Sequence, residues 1–162
     1  MRLLPGAAEA LGKLGRAGWL RIVVSNQSGV ARGLFTQEQY RLVEAAVLAA
    51  VRSGGGDIDA VLVCHHLPGA SDPRWAAVCE CRKPRPGLLL RAAAEHGIDL
   101  GASVMVGDAL RDLEAGRAAG VGACVLVRTG KGRDTEPVAR SLGLLDAAIH
   151  SVADLPAWLE SR

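Results

Sequence analysis

The chain has 162 residues, of which 49% are hydrophobic and 22% charged, and its formal net charge is +2. This length suits one ordinary domain with its own core, and the composition excludes a disordered chain. A charge of +2 is too small to indicate binding to nucleic acid or to a membrane surface. No stretch reaches the roughly 18 apolar residues of a spanning helix, and no signal-peptide core follows the first methionine. We therefore predict a cytoplasmic monomer without nucleic-acid or membrane partners.

Helix-like and strand-like segments alternate along the chain. In chain order the pattern predicts a helix at 6–17, a strand at 20–25, a helix at 36–52, a strand at 58–64, a helix at 86–97, a strand at 103–106, a helix at 109–119, a strand at 123–127, an edge strand at 147–150 and a last helix capped by Ser151. Strands joined by single helices form a parallel sheet with helices on both faces. The sequence therefore predicts an α/β fold, in one domain over 1–162.

Polar residues follow four of the predicted strands, at 25–28, 64–66, 107–108 and 128–131. Ligands of parallel sheets bind beyond the carboxyl ends of the strands. We therefore expect these residues on one rim of the sheet, and we expect Lys83 to reach that rim from the loop that precedes it.

Two polar segments of the sequence suit a phosphate group. Hydroxyl and amide side chains follow the first strand, at Ser25, Asn26, Gln27 and Ser28. Such groups can bind an oxyanion, although an ordinary strand-to-helix turn uses the same residue types. Arg82 and Lys83 likewise indicate either a phosphate clamp or a solvated loop.

Asp108 directly follows the third predicted strand, where a carboxylate can hold a hard cation such as Mg²⁺. Aspartate is also a good helix N-cap, and both roles can hold together. Asp112, one helical turn later, either supports a neighbouring lysine or faces solvent.

The loop at 64–83 carries the pattern of a structural zinc site. Cys64-x-His66 is followed, after twelve residues, by Cys79-x-Cys81. Three thiolates and one imidazole form a closed ligand set without a position for catalysis. His65 would point away from Cys64, so we predict His66 as the ligand. A nucleic-acid-binding zinc ribbon is the rival interpretation, but few basic or aromatic residues flank the motif.

Together these motifs resemble the D-glycero-D-manno-heptose 1,7-bisphosphate 7-phosphatase family. The segments that carry the resemblance occur in order, at 23–33, 64–66, 79–87, 106–108 and 127–131. The family is a capless, zinc-bearing branch of the haloacid dehalogenase (HAD) phosphatases, with a Rossmannoid three-layer fold around a parallel sheet. Histidinol-phosphatases are similar but have a shorter zinc loop, so the long spacer favours the heptose branch. His65 departs from the proline that the family usually has between the first cysteine and its histidine.

The resemblance implies phosphoryl transfer to an aspartate, then hydrolysis of the aspartyl phosphate, with Mg²⁺ screening the charge. The substrate would be a sugar phosphate. The implied roles are as follows: Ser25 binds the transferring phosphoryl group, Asn26, Gln27 and Ser28 line the substrate pocket, Arg82 contacts the substrate, Lys83 neutralises negative charge, Asp108 binds magnesium, and Cys64, His66, Cys79 and Cys81 bind zinc.

The family's first motif, Asp-x-Asp-Gly-Thr, is absent from this sequence. In the family it ends the central first strand and supplies the nucleophile. The only Asp-x-Asp here is Asp57-Ile58-Asp59, which begins a strand and is not followed by Gly-Thr. A start codon assigned too late, a fragment and a decayed remnant are the three hypotheses, and the other motifs favour truncation. We expect the chain as given to be inactive, with a zinc-stabilised phosphate-binding module as the alternative function.

Overall fold

The computed structural model describes residues 2–162, and within that range it contains six α-helices and five β-strands. In chain order they are α1 Ala7–Arg16, β1 Ile22–Asn26, α2 Gln37–Ser53, β2 Ala60–Cys64, α3 Gly87–His96, β3 Val104–Gly107, α4 Leu110–Ala119, β4 Ala123–Val127, α5 Gly132–Ser141, β5 Ala147–Ile149 and α6 Leu155–Glu160. A short 3₁₀ turn, Val152–Asp154, precedes α6. Ser151 was predicted to cap the last helix, but it caps this turn, and the N-cap residue of α6 is Asp154. The chain divides into two compact units, Met1–Arg82 and Lys83–Arg162. A single domain over 1–162 stays a prediction.

The first unit contains a two-stranded parallel sheet. β1 pairs with β2 in a register that runs from Ile22 opposite Ala60 to Asn26 opposite Cys64. α2 begins with a capping box, in which the Gln39 amide donates to Thr36 Oγ1 at 3.1 Å and Gln39 Oε1 accepts from the Thr36 amide at 2.8 Å. Two orphan backbone donors are thereby satisfied at the start of a 17-residue helix.

The second unit contains a three-stranded parallel sheet in the order β3-β4-β5. Every residue of β4 is buried, as expected for a central strand covered on both faces. α3 and α4 both end at glycines in the left-handed conformation, Gly97 and Gly120, which accept that backbone without a Cβ penalty. Leu88, Leu113 and Leu126 are among its largest fully buried side chains.

The predicted α/β fold with parallel strands is confirmed, and the predicted elements agree with the observed ones to within about three residues at each end. One helix, α5, was not predicted. Its sequence is polar and contains Pro137 in its interior, both of which are typical of a loop. Packing explains the helix, because Gly132 and Ala139 are buried and a Cβ on Gly132 would collide with the Val127 carbonyl of β4.

β1 and β3 each have one hydrogen-bonded strand neighbour among residues 2–162. The absence of a central first strand stays a prediction. In the same range, the structure contains no helix whose length and hydropathy match a membrane span.

Candidate active site and metal site

In the first unit, the carboxyl ends of β1 and β2 bring two of the predicted polar segments together. Asn26 lies opposite Cys64, and the amide of Gln27 donates to the Cys64 carbonyl at 2.8 Å. The Gln27 side-chain amide donates to Ser25 Oγ at 3.1 Å. Residues 26–28, called the oxyanion loop below, are therefore fixed beside the start of the zinc loop. Ser25 and Gln27 also line a mostly apolar cavity of about 610 Å³ between the sheet and helices α1 and α2.

The four predicted zinc ligands converge on one point in the first unit. Their ligand atoms all lie within 4.8 Å of one another. The Cys81 Sγ is 3.2 Å from the Sγ atoms of Cys64 and Cys79, and the His66 Nδ1 is 3.4 Å from Cys81 Sγ. The cysteines are free thiols. This set, called the Cys/His cluster below, excludes His65, as the alternation of side chains predicted.

The chemistry of the Cys/His cluster fits zinc. Ligand sulfurs of a tetrahedral zinc lie about 3.8 Å apart, since each Zn–S bond is about 2.3 Å long. Burial is the largest effect that raises the pKa of the Cys64 and Cys81 thiols. Burial also opposes ionisation of Cys79, but hydrogen bonds from Cys81, Cys64 and two backbone amides outweigh it and lower the pKa of Cys79. Three thiols this close ionise together only beside a cation, which is the property of a metal site.

Contacts within the 64–83 loop hold the cluster in place. The Trp75 ring packs against both His65 and His66, with ring centroids 5.4 and 6.1 Å away. The Trp75 carbonyl accepts from the Leu67 amide at 2.9 Å. Arg82 Nη1 donates to the His66 carbonyl at 3.0 Å, so the guanidinium is fixed to the backbone of a predicted zinc ligand.

A buried ion pair lies in the second unit. Lys83 Nζ is 2.7 Å from Asp112 Oδ1, and the two side chains are only 8% and 9% exposed. Asp112 Oδ2 also accepts from the Ala109 amide at 3.2 Å, at the start of α4. The sequence left open whether Asp112 supports a lysine or faces solvent, and the structure shows that it holds Lys83. The helix-start signal was available, because an acidic residue at the third helical position commonly reaches back to the N-cap amide.

Asp108 occupies the turn between β3 and α4, where it was predicted. The alternative role of Asp108 as the cap of α4 is not observed, because the N-cap residue is Ala109. Instead Asp108 Oδ2 accepts from the Lys131 amide at 2.9 Å. Gly130 makes this approach possible, since it has a φ of 58° and a Cβ there would collide with the Asp108 carboxylate. The loops that follow β3 and β4 therefore meet at one rim of the second unit.

The residue after β4, Arg128, is engaged within its own unit. Its guanidinium donates to both oxygens of Glu136, at 2.6 and 2.9 Å, and Arg140 donates to the same carboxylate. Sequence reasoning gave no signal for this pairing, because Glu136 lies in the helix that was not predicted.

Comparison with known proteins shows which family the chain is similar to. The sequence model of the HAD-hydrolase-like family matches residues 80–155. The D-glycero-beta-D-manno-heptose-1,7-bisphosphate 7-phosphatase of Yersinia pestis is 40% identical over 161 residues, which are 99% of this chain and 84% of that protein. The phosphatase of the same name from Escherichia coli K12 is 41% identical over 98% of this chain and 81% of its own length.

A solved structure shares the fold. The D,D-heptose 1,7-bisphosphate phosphatase of B. bronchiseptica, complexed with magnesium and phosphate, superposes with a TM-score of 0.83 at 36% identity. The match covers 98% of this chain and 83% of that one. The HAD-like fold predicted from the sequence is thereby confirmed. The chain belongs to the D-glycero-beta-D-manno-heptose-1,7-bisphosphate 7-phosphatase family of HAD-like phosphatases.

Proposed function

We propose that this protein is a HAD-type phosphatase for a sugar phosphomonoester, with the 7-phosphate of D-glycero-D-manno-heptose 1,7-bisphosphate as the bond that is hydrolysed. The names of its relatives support the substrate class. The single observation that carries the proposal is the buried Lys83 ammonium, fixed by Asp112 beside the carboxyl end of β3. A buried cation at such an edge can neutralise charge that develops on a phosphoryl group.

The side chains have distinct roles in this proposal. Ser25 hydrogen-bonds the transferring phosphoryl group, and the oxyanion loop of Asn26, Gln27 and Ser28 lines the substrate pocket. The hydrogen bond from Gln27 to Ser25 Oγ supports this, because it leaves the Ser25 hydroxyl proton free to donate to an oxyanion. Arg82 contacts the substrate, and its anchorage on the His66 carbonyl limits the entropy it loses on binding.

Two metals belong to the proposal. Cys64, His66, Cys79 and Cys81 would hold a structural zinc, which their convergence within 4.8 Å supports. Asp108 would contribute one carboxylate to a magnesium site, and magnesium, when bound, screens the charge between the substrate and the site. The magnesium reported with the B. bronchiseptica phosphatase supports this assignment.

The aspartate nucleophile is not among these 162 residues, which contain no Asp-x-Asp-Gly-Thr. Asp57 and Asp59 do not replace it, because Arg52 and Arg21 pair with them at the amino end of β2. The absence of this motif from the 162 residues favours a second candidate function, the binding of a sugar phosphate without hydrolysis. A monomeric state and a cytoplasmic location stay predictions.

Turnover separates the two candidate functions. We expect the 162-residue chain, supplied with Mg²⁺ and heptose 1,7-bisphosphate, to release no phosphate above background. A protein extended by the segment that encodes Asp-x-Asp-Gly-Thr upstream, if the gene carries one, should turn the substrate over, and Lys83→Ala in that protein should lower kcat. EDTA-sensitive turnover by the short chain, abolished in Asp108→Ala, would show that the nucleophile is misplaced. An inactive extended protein would favour the binding function.

Metal analysis tests the zinc assignment. We expect one zinc per chain in freshly purified, reduced protein, and we expect Cys81→Ser to lower both zinc content and thermal stability. Cys124→Ser is the matched control, because Cys124 is fully buried in β4 and lies outside the Cys/His cluster. That variant should lose stability while it keeps its zinc. Zinc-free wild-type protein would refute the site.

A further inference from the structure

His65 lies between two predicted zinc ligands, yet its side chain faces a different part of the first unit. The residue is 9% exposed, and its ring lies edge-on between Tyr40 of α2 and Trp75 of the zinc loop, at centroid distances of 5.1 and 5.4 Å. Its Nδ1 is 3.0 Å from the carbonyl oxygen of Gln27. A carbonyl only accepts hydrogen bonds, so this contact requires the proton on Nδ1 and fixes the tautomer of the ring.

The Gln27 main chain is therefore held from both sides by consecutive residues of the zinc loop. Its amide donates to the Cys64 carbonyl at 2.8 Å, and its carbonyl accepts from His65. Its side chain in turn donates to Ser25 Oγ. A shift of the backbone at 64–65 is thus transmitted to Ser25 and to the oxyanion loop.

The other side chains of the same segment point into the metal site. Cys64 Sγ and His66 Nδ1 lie 3.7 Å apart in the Cys/His cluster, and His65 projects away from them because successive side chains of extended backbone alternate. One three-residue segment thus carries two metal ligands on one side and the hydrogen bond to the oxyanion loop on the other.

We propose that His65 is a positioning residue that couples zinc binding in the Cys/His cluster to oxyanion binding at the loop of residues 26–28. This inference rests on the proposed function, since it takes the cluster to hold zinc and the loop to bind a phosphoryl group. Zinc fixes the backbone of residues 64–66, and the Nδ1–H donor carries that order to Gln27. The coupling is reciprocal, so an oxyanion held at the loop must also raise the equilibrium affinity for zinc.

The equilibrium affinity for zinc, measured by competition with a chromogenic chelator with and without inorganic phosphate, tests the coupling. We expect phosphate to raise the zinc affinity of the wild-type chain about fivefold or more, within the usual range of coupling between sites. His65→Leu keeps an apolar filling between the two rings but loses the donor, and its zinc affinity should no longer respond to phosphate. His65→Asn should restore the response, because its side-chain amide donates from nearly the position of Nδ1. His150→Leu, at an exposed histidine, should behave as wild type.

The outcomes separate this inference from the proposed function. An equal response to phosphate in the wild type and in His65→Leu refutes the role of His65 but leaves phosphate binding in place. Phosphate binding to the zinc-loaded wild-type protein can be measured by ³¹P NMR. If the protein does not bind phosphate, both the proposed function and the coupling are refuted. If His65→Leu does not fold, a second measurement tests the inference. Long-range ¹H–¹⁵N correlation NMR on the zinc-loaded wild type shows which ring nitrogen of His65 carries the proton. A proton on Nε2 alone would overturn the inference, and a proton on Nδ1 would support it.

Discussion

The buried ion pair between Lys83 and Asp112 gives the sharpest prediction for stability. Coulomb's law with an effective dielectric constant of about 20 gives roughly 6 kcal/mol of attraction across the 2.7 Å that separates Nζ from Oδ1. Desolvation of both ions, which are 8% and 9% exposed, offsets most of that attraction. The pair as a whole therefore adds little stability, whereas the loss of one partner removes the counter-charge that lies 2.7 Å from the other buried ion.

We expect Asp112→Asn and Lys83→Met each to lower the free energy of unfolding by about 3–5 kcal/mol. Asparagine can still accept the hydrogen bond from the Ala109 amide, so Asp112→Asn removes the charge and keeps the helix start. The double variant should cost about 2 kcal/mol or less, because it buries no unpaired charge. The two changes are thus strongly non-additive.

Urea unfolding at constant zinc, followed by far-ultraviolet circular dichroism, measures these differences. Glu95→Gln is the matched control, since its partner Arg91 lies one turn away on α3 and the two side chains are 61% and 46% exposed. Its loss should cost less than about 0.5 kcal/mol. Additive costs below about 1 kcal/mol for the two buried partners would show that the pair is exposed in solution and would refute the argument.

Three further predictions concern the surrounding loops. Gly130→Ala should lower the melting temperature more than Gly120→Ala. Both glycines have a positive φ, but only a Cβ at position 130 meets the Asp108 carboxylate. Equal losses would show that backbone strain alone acts at Gly130. Arginine hydrogen bonds hold the pKa of Glu136 at about 2, so its contribution to stability is present above its usual pKa of 4.5 and is lost as the pH falls toward 2. The stability difference between wild type and Glu136→Gln in urea should therefore shrink between pH 6 and pH 3, and a constant difference would contradict this sign. In an extended, active protein Arg82→Ala should raise KM more than it lowers kcat, which steady-state kinetics can separate.

Most of the fold could be predicted because the local signals agree with the final packing. The capping box at Thr36 and the glycine at 120 mark helix ends by backbone chemistry alone, and both are observed. The apolar segment 123–127 was predicted as a strand, and the observed β4 has the same bounds. Where tertiary contact decides, as for α5 with its buried Gly132, local propensity gave the wrong answer.

The candidate site divides in the same way. The Cys/His cluster was predictable because its spacing places four soft ligands on two short segments of one loop. The roles of Asp112 and His65 were not, since they depend on partners 29 and 38 residues away, at Lys83 and Gln27. Sequence spacing does not carry such contacts, and only the packed structure identifies the partner of each side chain.

The site residues differ in what their presence implies about catalysis. The Cys/His cluster and the Lys83–Asp112 pair both bear on folding, because a metal site adds folding energy and a buried charge needs its partner. A binding module that no longer hydrolyses phosphate would need these groups as much as an enzyme does. Their presence therefore does not by itself decide between hydrolysis and binding. The decision rests on the nucleophile. Asp57 and Asp59 are paired with Arg52 and Arg21 at the amino end of β2, and Asp108 is the proposed magnesium ligand.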